Sequence, residues 1–173
     1  MQIKPLAVLA PLLAFASSPG LAAAPTADAI IPLPLNPIIP AAQRACAAKS
    51  PSLVGTTALK SGVGDKPAAT DTVLVNYIGY LAATGIVFDQ ATQAAFPVGE
   101  VIPGFAEGIR TIGRGGITRI CVPAALGYGD KASGPIPPNS DLVFQVELLD
   151  FRSTAEIQAM QQQAQVATPQ PTQ

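Results

Sequence analysis

Across residues 53–151 apolar and polar side chains alternate in short runs separated by turns rich in glycine and proline. Val73, Val75 and Tyr77 alternate with Leu74, Asn76 and Ile78, the two-residue period of a strand with one face toward a core. Gly79 and the turn Ala82-Ala83-Thr84-Gly85 then send the chain back through Ile86-Val87-Phe88-Asp89. Leu142, Phe144, Val146 and Leu148 alternate with Val143, Gln145, Glu147 and Leu149, and Ile117–Val122 supplies a further strand. Between these runs the period lengthens. Over 101–112 a proline stands in the first turn and Phe105, Ile109 and Ile112 recur at spacings of four and three, which predicts a short amphipathic helix ended by Gly113. Several strands and one short helix predict an α+β fold: a twisted antiparallel sheet of five or six strands, a half-barrel wrapped around the helix.

The two ends follow other rules. Residues 1–24 carry one charge, Lys4, then an apolar run and the small residues Ala22, Ala23 and Ala24, which is the layout of a cleavable signal peptide. Pro5 and Pro11 interrupt the run, and it falls short of the roughly 20 apolar residues that span a bilayer, so cleavage and export are expected over a retained anchor. Residues 25–52 form an arm with proline at every second or third position of its middle, as in Ile31-Pro32-Leu33-Pro34-Leu35, where helix is disfavoured. Its isoleucines and leucines leave open whether it is a solvated linker or docks on the domain or on a partner. Residues 153–173 are rich in glutamine and alanine; Ile157, Met160 and Ala164 have helical spacing, but so short a helix is marginal alone, so a mostly disordered tail is expected.

Composition narrows the chemistry. The 173 residues contain no histidine, no tryptophan and two cysteines, which removes Ser-His-Asp hydrolysis, histidine-ligated metals and zinc or iron–sulfur clusters; neither a metal nor a cofactor is expected. Ten basic and 11 acidic residues give a net charge of −1, with none of the basic footprint that nucleic acid requires. No stable membrane insertion is expected after cleavage. Gly113-Arg114-Gly115-Gly116 lacks the Lys-Ser/Thr continuation of a phosphate loop and reads as a turn. Cys46 lies in the arm and Cys121 alternates away from the core face. Two readings stand for them: a bridge that staples arm to domain in an oxidising compartment, contributing about 4 kcal/mol by loop entropy, or two inert thiols.

Six segments in order carry a resemblance: Val75-Asn76-Tyr77-Ile78-Gly79, Gly85-x-x-Phe88-Asp89, Val101-Ile102-Pro103-Gly104-Phe105-x-Glu107-Gly108, Val122-Pro123-x-x-Leu126-Gly127-Tyr128-Gly129, Ile136-Pro137-Pro138-Asn139 and Leu142-Val143-Phe144-x-Val146-Glu147-Leu148. Over about a hundred residues, 53–152, the chain resembles FKBP-type peptidyl-prolyl cis-trans isomerases of the exported bacterial type. The resemblance implies a cleft between helix and sheet in which Tyr77, Phe88, Phe105 and Phe144 form aromatic walls and floor and Val101 and Ile102 line the entrance. It also implies that Asp89 accepts from the Tyr77 hydroxyl, Tyr128 and the Ile102 amide donate to a substrate carbonyl, and Ile136 covers the proline ring. Phe96 is a further wall candidate. Asp89, Tyr128, Tyr77, Phe88 and Phe144 are thus the expected catalytic group, and Val101, Ile102, Phe105, Ile136 and Phe96 the binding group.

The partners implied are unfolded or partly folded proline-containing proteins in the periplasm, with macrolide inhibitors as further ligands. The family's helix tryptophan is Phe105 here, which keeps an apolar floor but loses an indole donor. The loop Asp130-Lys131-Ala132-Ser133-Gly134-Pro135 is one residue short and lacks the family's histidine, so inhibitor contacts there differ. Two other classes compete with a folding isomerase: a non-catalytic chaperone module that binds proline-containing segments, and an anchored structural protein that reaches a partner through its arm. The absence of a long helical segment before the domain favours a monomer.

Overall fold

In the computed structural model the described residues are 29–33 and 38–167, with side chains up to residue 164. The expected signal peptide and parts of the arm and tail lie outside them. Six strands, β1 (Ala48–Lys49), β2 (Gly55–Lys60), β3 (Thr72–Leu81), β4 (Val87–Pro97), β5 (Ile117–Val122) and β6 (Leu142–Arg152), form one antiparallel sheet in the order β1-β2-β5-β6-β3-β4. Helix α1 (Pro103–Ile109) lies against the concave face, which is the α+β architecture expected from the period change.

Glycine brings α1 close to the sheet. A Cβ at Gly104 would lie 2.4 Å from Val122 and one at Gly108 2.4 Å from Ile120, so this face of the helix packs backbone directly on β5. Phe105 and Ile109, buried beside them, join Val75, Val146 and Leu148 in the main core. The helix ends at Ile109, earlier than the expected stop at Gly113. Thr111 and Ile112 instead close tight turns onto the carbonyls of Gly108 and Ile109, and Gly113 lies against the Val63 backbone, where an added Cβ would come within 2.8 Å.

Strand β4 departs from regular pairing twice. Val75 pairs with Ala94 and Tyr77 with Ala91, so Asn76 faces two residues, Thr92 and Gln93. Gln93 takes a left-handed φ of 53°, and its amide donates to Asn76 Oδ1 at 2.9 Å, which satisfies a group that the ladder leaves out. The second irregularity, with Gly79 opposite Asp89 and Tyr80 opposite Val87, leaves Phe88 as the extra residue.

The arm docks. On the convex face Ile31 and Ile39 are buried against Ile78, Tyr80 and Val143. Three polar side chains of that face hold arm backbone. The Gln145 amide exchanges two hydrogen bonds with Ile31, at 2.7 and 2.8 Å; the Tyr80 hydroxyl donates to Gln43 O at 2.6 Å; and Arg119 Nη1 donates to Ala45 O at 3.2 Å. Cys46 and Cys121 are joined by a disulfide with Cα atoms 6.0 Å apart. The stretch read as an arm up to residue 52 therefore also contributes β1 to the sheet.

At the other end, helix α2 (Thr154–Ala167) stands where a mostly disordered tail was expected. Its start is held reciprocally: Ser153 Oγ accepts from the Glu156 amide, while Glu156 Oε2 accepts from the Ser153 amide and hydroxyl, both at 2.8 Å. Thr154 Oγ1 adds a tie to Thr70 O.

Reducing the disulfide, which closes a separation of 75 residues, is expected to lower unfolding free energy by about 4 kcal/mol in urea titrations with and without reductant. A second prediction concerns Tyr80, whose hydroxyl is pushed up to about 12 by burial, opposed in part by Arg119 and Arg44. Tyrosine in an unfolded chain ionises near about 10, so this contribution is complete below that pH and is lost as pH rises through about 12. Tyr80→Phe is expected to flatten that alkaline decline in pH-dependent unfolding curves, while losing the bond to Gln43 at every pH.

Candidate active site

The two irregularities in β4 decide what faces the concave side. Directly paired residues of antiparallel strands point to the same face. Phe96 pairs with Val73 and Ala94 with Val75, both core positions; beyond Gln93 the parity shifts by one, and Ala91 and Asp89 pair with Tyr77 and Gly79. In a regular strand Phe96 and Asp89 would face opposite ways. Here both line one cleft of about 360 Å³ between α1 and the sheet.

Five aromatic rings form a continuous edge-to-face chain through this region. Tyr77 meets Phe96 at 5.6 Å between centroids, Phe96 meets Phe105 at 6.5 Å, Phe105 meets Phe144 at 5.1 Å, and Phe144 meets Phe88 at 5.6 Å. Such pairs each contribute about 0.5–1.5 kcal/mol beyond the area they bury, which makes the wall stiff. Phe105, buried on α1, forms the floor. Gly79 makes room for the chain: a Cβ there would sit 2.7 Å from the Phe88 ring and 2.9 Å from Phe144.

The polar groups are few. The Tyr77 hydroxyl donates to Asp89 Oδ2 at 2.5 Å. Burial first, then the bond to Asp89, pushes this hydroxyl well above the ordinary tyrosine range, so the proton stays on Tyr77 and the Asp89 carboxylate stays oriented. Tyr128, 40% exposed, reaches the cleft from the loop after β5. Val101 and Ile102 line the side where α1 begins; Ile102 is the residue before the first helical turn, and Pro103 needs no amide partner there.

Of the ten expected site residues, Tyr77, Asp89, Phe96, Val101, Ile102, Phe105, Tyr128 and Phe144 line the cleft. Phe88 and Ile136 do not. Phe88 stands behind Phe144 and supports it, and Ile136 is buried in the main core. The structure adds Glu100, which lines the cleft at the end of the short turn Val98–Glu100. Its position just before Val101-Ile102 was the available signal, but a charged residue beside an apolar entrance carried no pattern. A larger hollow of about 490 Å³ beside the disulfide has no aromatic wall. Among the described residues no group of three or more His, Cys, Asp or Glu could hold a metal ion, and no helix is long and apolar enough to cross a membrane.

The site is thus an aromatic cleft with a tyrosine-anchored carboxylate, held between one helix and the sheet. The sequence profile of FKBP-type peptidyl-prolyl cis-trans isomerases matches residues 64–149. The chain is 42% identical over 100 residues to the FKBP-type isomerase FkpA of Aeromonas hydrophila, covering 56% of this chain and 37% of that one. It is 39% identical over 92 residues to the peptidyl-prolyl cis-trans isomerase FPR2 of Saccharomyces cerevisiae, covering 49% of this chain and 68% of that one. The crystal structure of FkpA from Escherichia coli superposes with a TM-score of 0.58 at 39% identity, over 61% of this chain and 51% of that one. The chain therefore belongs to the FKBP-type peptidyl-prolyl cis-trans isomerase family, and it spans less than half the length of the FkpA sequences it matches.

Gly79→Ala is expected to force Phe88 and Phe144 apart. The variant should be destabilised by about 1–3 kcal/mol in denaturant titration and show altered near-ultraviolet circular dichroism.

Proposed function

We propose that the protein is a peptidyl-prolyl cis-trans isomerase acting on proline-containing segments of unfolded or partly folded exported proteins. The observation that carries this reading is the stiff aromatic cleft with a single oriented carboxylate at its wall. Rotation about an X-Pro bond faces a barrier of about 18–20 kcal/mol because amide resonance is lost in the twisted state. No nucleophile, metal or cofactor is needed. The twisted amide is less charge-separated than the planar one, so a dry apolar site favours it over the ground state.

Each lining group has a part in this. Phe105 and Phe144 receive the proline ring, with Tyr77 and Phe96 closing the sides. The Tyr128 hydroxyl and the Ile102 amide donate to substrate carbonyls and hold the chain on either side of the rotating bond. Asp89 sets the field at the carbonyl that swings, and Tyr77 keeps the carboxylate in place. Phe88 and Ile136 act from behind, one supporting Phe144 and the other filling the core below the loop.

Export is supported by the signal-like layout of residues 1–24 and by the disulfide between Cys46 and Cys121, which suits an oxidising compartment such as the periplasm. The protein acts as a monomer, and macrolide inhibitors share the cleft. A second reading, a binding module without useful catalysis, is favoured by one observation: Phe105 stands where the family commonly has tryptophan.

Isomerisation of short X-Pro peptides by the mature protein distinguishes these readings. The parent is expected to catalyse; Tyr128→Phe should lower kcat/KM by about two- to tenfold, the worth of one hydrogen bond, and Asp89→Leu by about tenfold or more. A folded parent without catalysis across several residues before proline would leave the binding module as the better account.

A further inference from the structure

The cleft is acidic at its rim, and among the described residues no ion pair neutralises it. Asp89 and Glu100 are both exposed, and both line the cleft, one from β4 and the other from the turn before α1. Neither has an ion-pair partner among the described residues, where the only salt bridges join Asp150 to Arg114 and Arg152. No lysine or arginine is among the described lining residues. The nearest charges in the loop after Tyr128, Asp130 and Lys131, are adjacent, exposed and opposite in sign, so they offset one another. Everything else that lines the cleft is apolar or phenolic. A substrate whose proline ring enters the aromatic part must carry its neighbouring residues past this rim.

We infer that Glu100 is a specificity-determining residue, and that with Asp89 it selects prolyl segments carrying lysine or arginine next to the proline and disfavours those carrying aspartate or glutamate. This rests on the isomerase reading and adds the charge class of its substrate. Asp89 is held by Tyr77 and serves the reacting amide, whereas Glu100 has no hydrogen-bonded duty among the described residues and is free to act on flanking charge. The attraction is a surface effect in water, so each like or opposite charge changes kcat/KM by only about two- to threefold at low ionic strength, and salt weakens it. Lysine and glutamate peptides then differ by about fivefold, since one is attracted and the other repelled.

The test measures three peptides alike except for lysine, leucine or glutamate before proline, with the parent, Glu100→Gln and Asp65→Asn. Asp65 is an exposed residue outside the cleft, so its variant makes the same change in net charge without touching the rim. The readout is the ratio of kcat/KM for the lysine peptide to that for the glutamate peptide, which cancels any general loss of activity. The expected ratio is about fivefold for the parent and Asp65→Asn, about twofold for Glu100→Gln, and close to one for all at about 0.5 M salt. An unchanged ratio in Glu100→Gln, or a parent that does not prefer lysine, overturns the inference. If the leucine peptide is not isomerised at all, the isomerase reading fails instead. The same ratio is then read from dissociation constants by tyrosine fluorescence, where tighter binding of the lysine peptide upholds the charge selection and equal binding overturns it.

Discussion

Strand β4 holds one residue more than its partner can pair between Ala91 and Ala94, and the concave face is organised around that surplus. Because side chains alternate with a period of two, a one-residue insertion moves every residue beyond it to the other face. Here it carries Asp89 to the side on which Phe96 already stands. The left-handed Gln93 and the bond from its amide to Asn76 hold the surplus at one place. Without that bond an amide would be left outside the ladder and the register would have less to fix it. Asn76 meanwhile donates through its nitrogen to Glu147 on β6, so the same side chain ties three strands at the level of Tyr77. The carboxylate of the site is therefore positioned by an asparagine on the opposite face of the sheet.

The aromatic cleft depends on β3 in a second way. Tyr77 and Gly79 present their concave side to the cleft while Ile78 and Tyr80 present the convex side to the docked arm. One strand thus separates two clusters, and its rigidity is contributed from both. Gly79 lets Phe88 and Phe144 meet at edge-to-face distance, Phe144 then braces Phe105, and Phe105 braces Phe96. On the proposed isomerase reading no nucleophile or metal takes part, so the chemistry would rest on the shape, dryness and stiffness of the wall together with a few oriented hydrogen bonds.

Most of the scaffold was readable from period alone. The strands at Val73, Val75 and Tyr77, at Ile117–Val122 and at Leu142, Phe144, Val146 and Leu148 have single-period patterns, and the structure places them as read. Helix α1 is readable in existence and in its buried face but not in its end, because Gly113 has the look of a helix stop while its smallness serves a contact with Val63. The coexistence of Phe96 and Asp89 on one face was not readable from alternation, since odd and even positions share a face only when a bulge intervenes; it came from the resemblance. The length of the C-terminal segment argues against a helix, but the reciprocal cap between Ser153 and Glu156 favours one. Glu100 escaped because exposure and charge at a rim leave no periodic trace.

The docking of the arm answers the question posed by its apolar residues. Ile31 and Ile39 cover Ile78, Tyr80 and Val143, which would otherwise expose an apolar patch on the convex face. The cover also encloses Arg119, 1% exposed, whose Nη1 donates to the carbonyl of Ala45 and whose guanidinium lies beside the Tyr80 hydroxyl. Enclosing a cation with so few partners and no counter-charge bonded to it is unfavourable by itself. The arm is held over it by covalent and apolar means instead: the disulfide on one side, the two isoleucines on the other, with the Gln145 amide and the Tyr80 hydroxyl fixing the backbone between. Reduction removes the one covalent tie among the described residues. It leaves the Arg119 cost and the apolar gain to compete directly, so the convex face is the part of this fold whose closure is most sensitive to the compartment in which the protein resides.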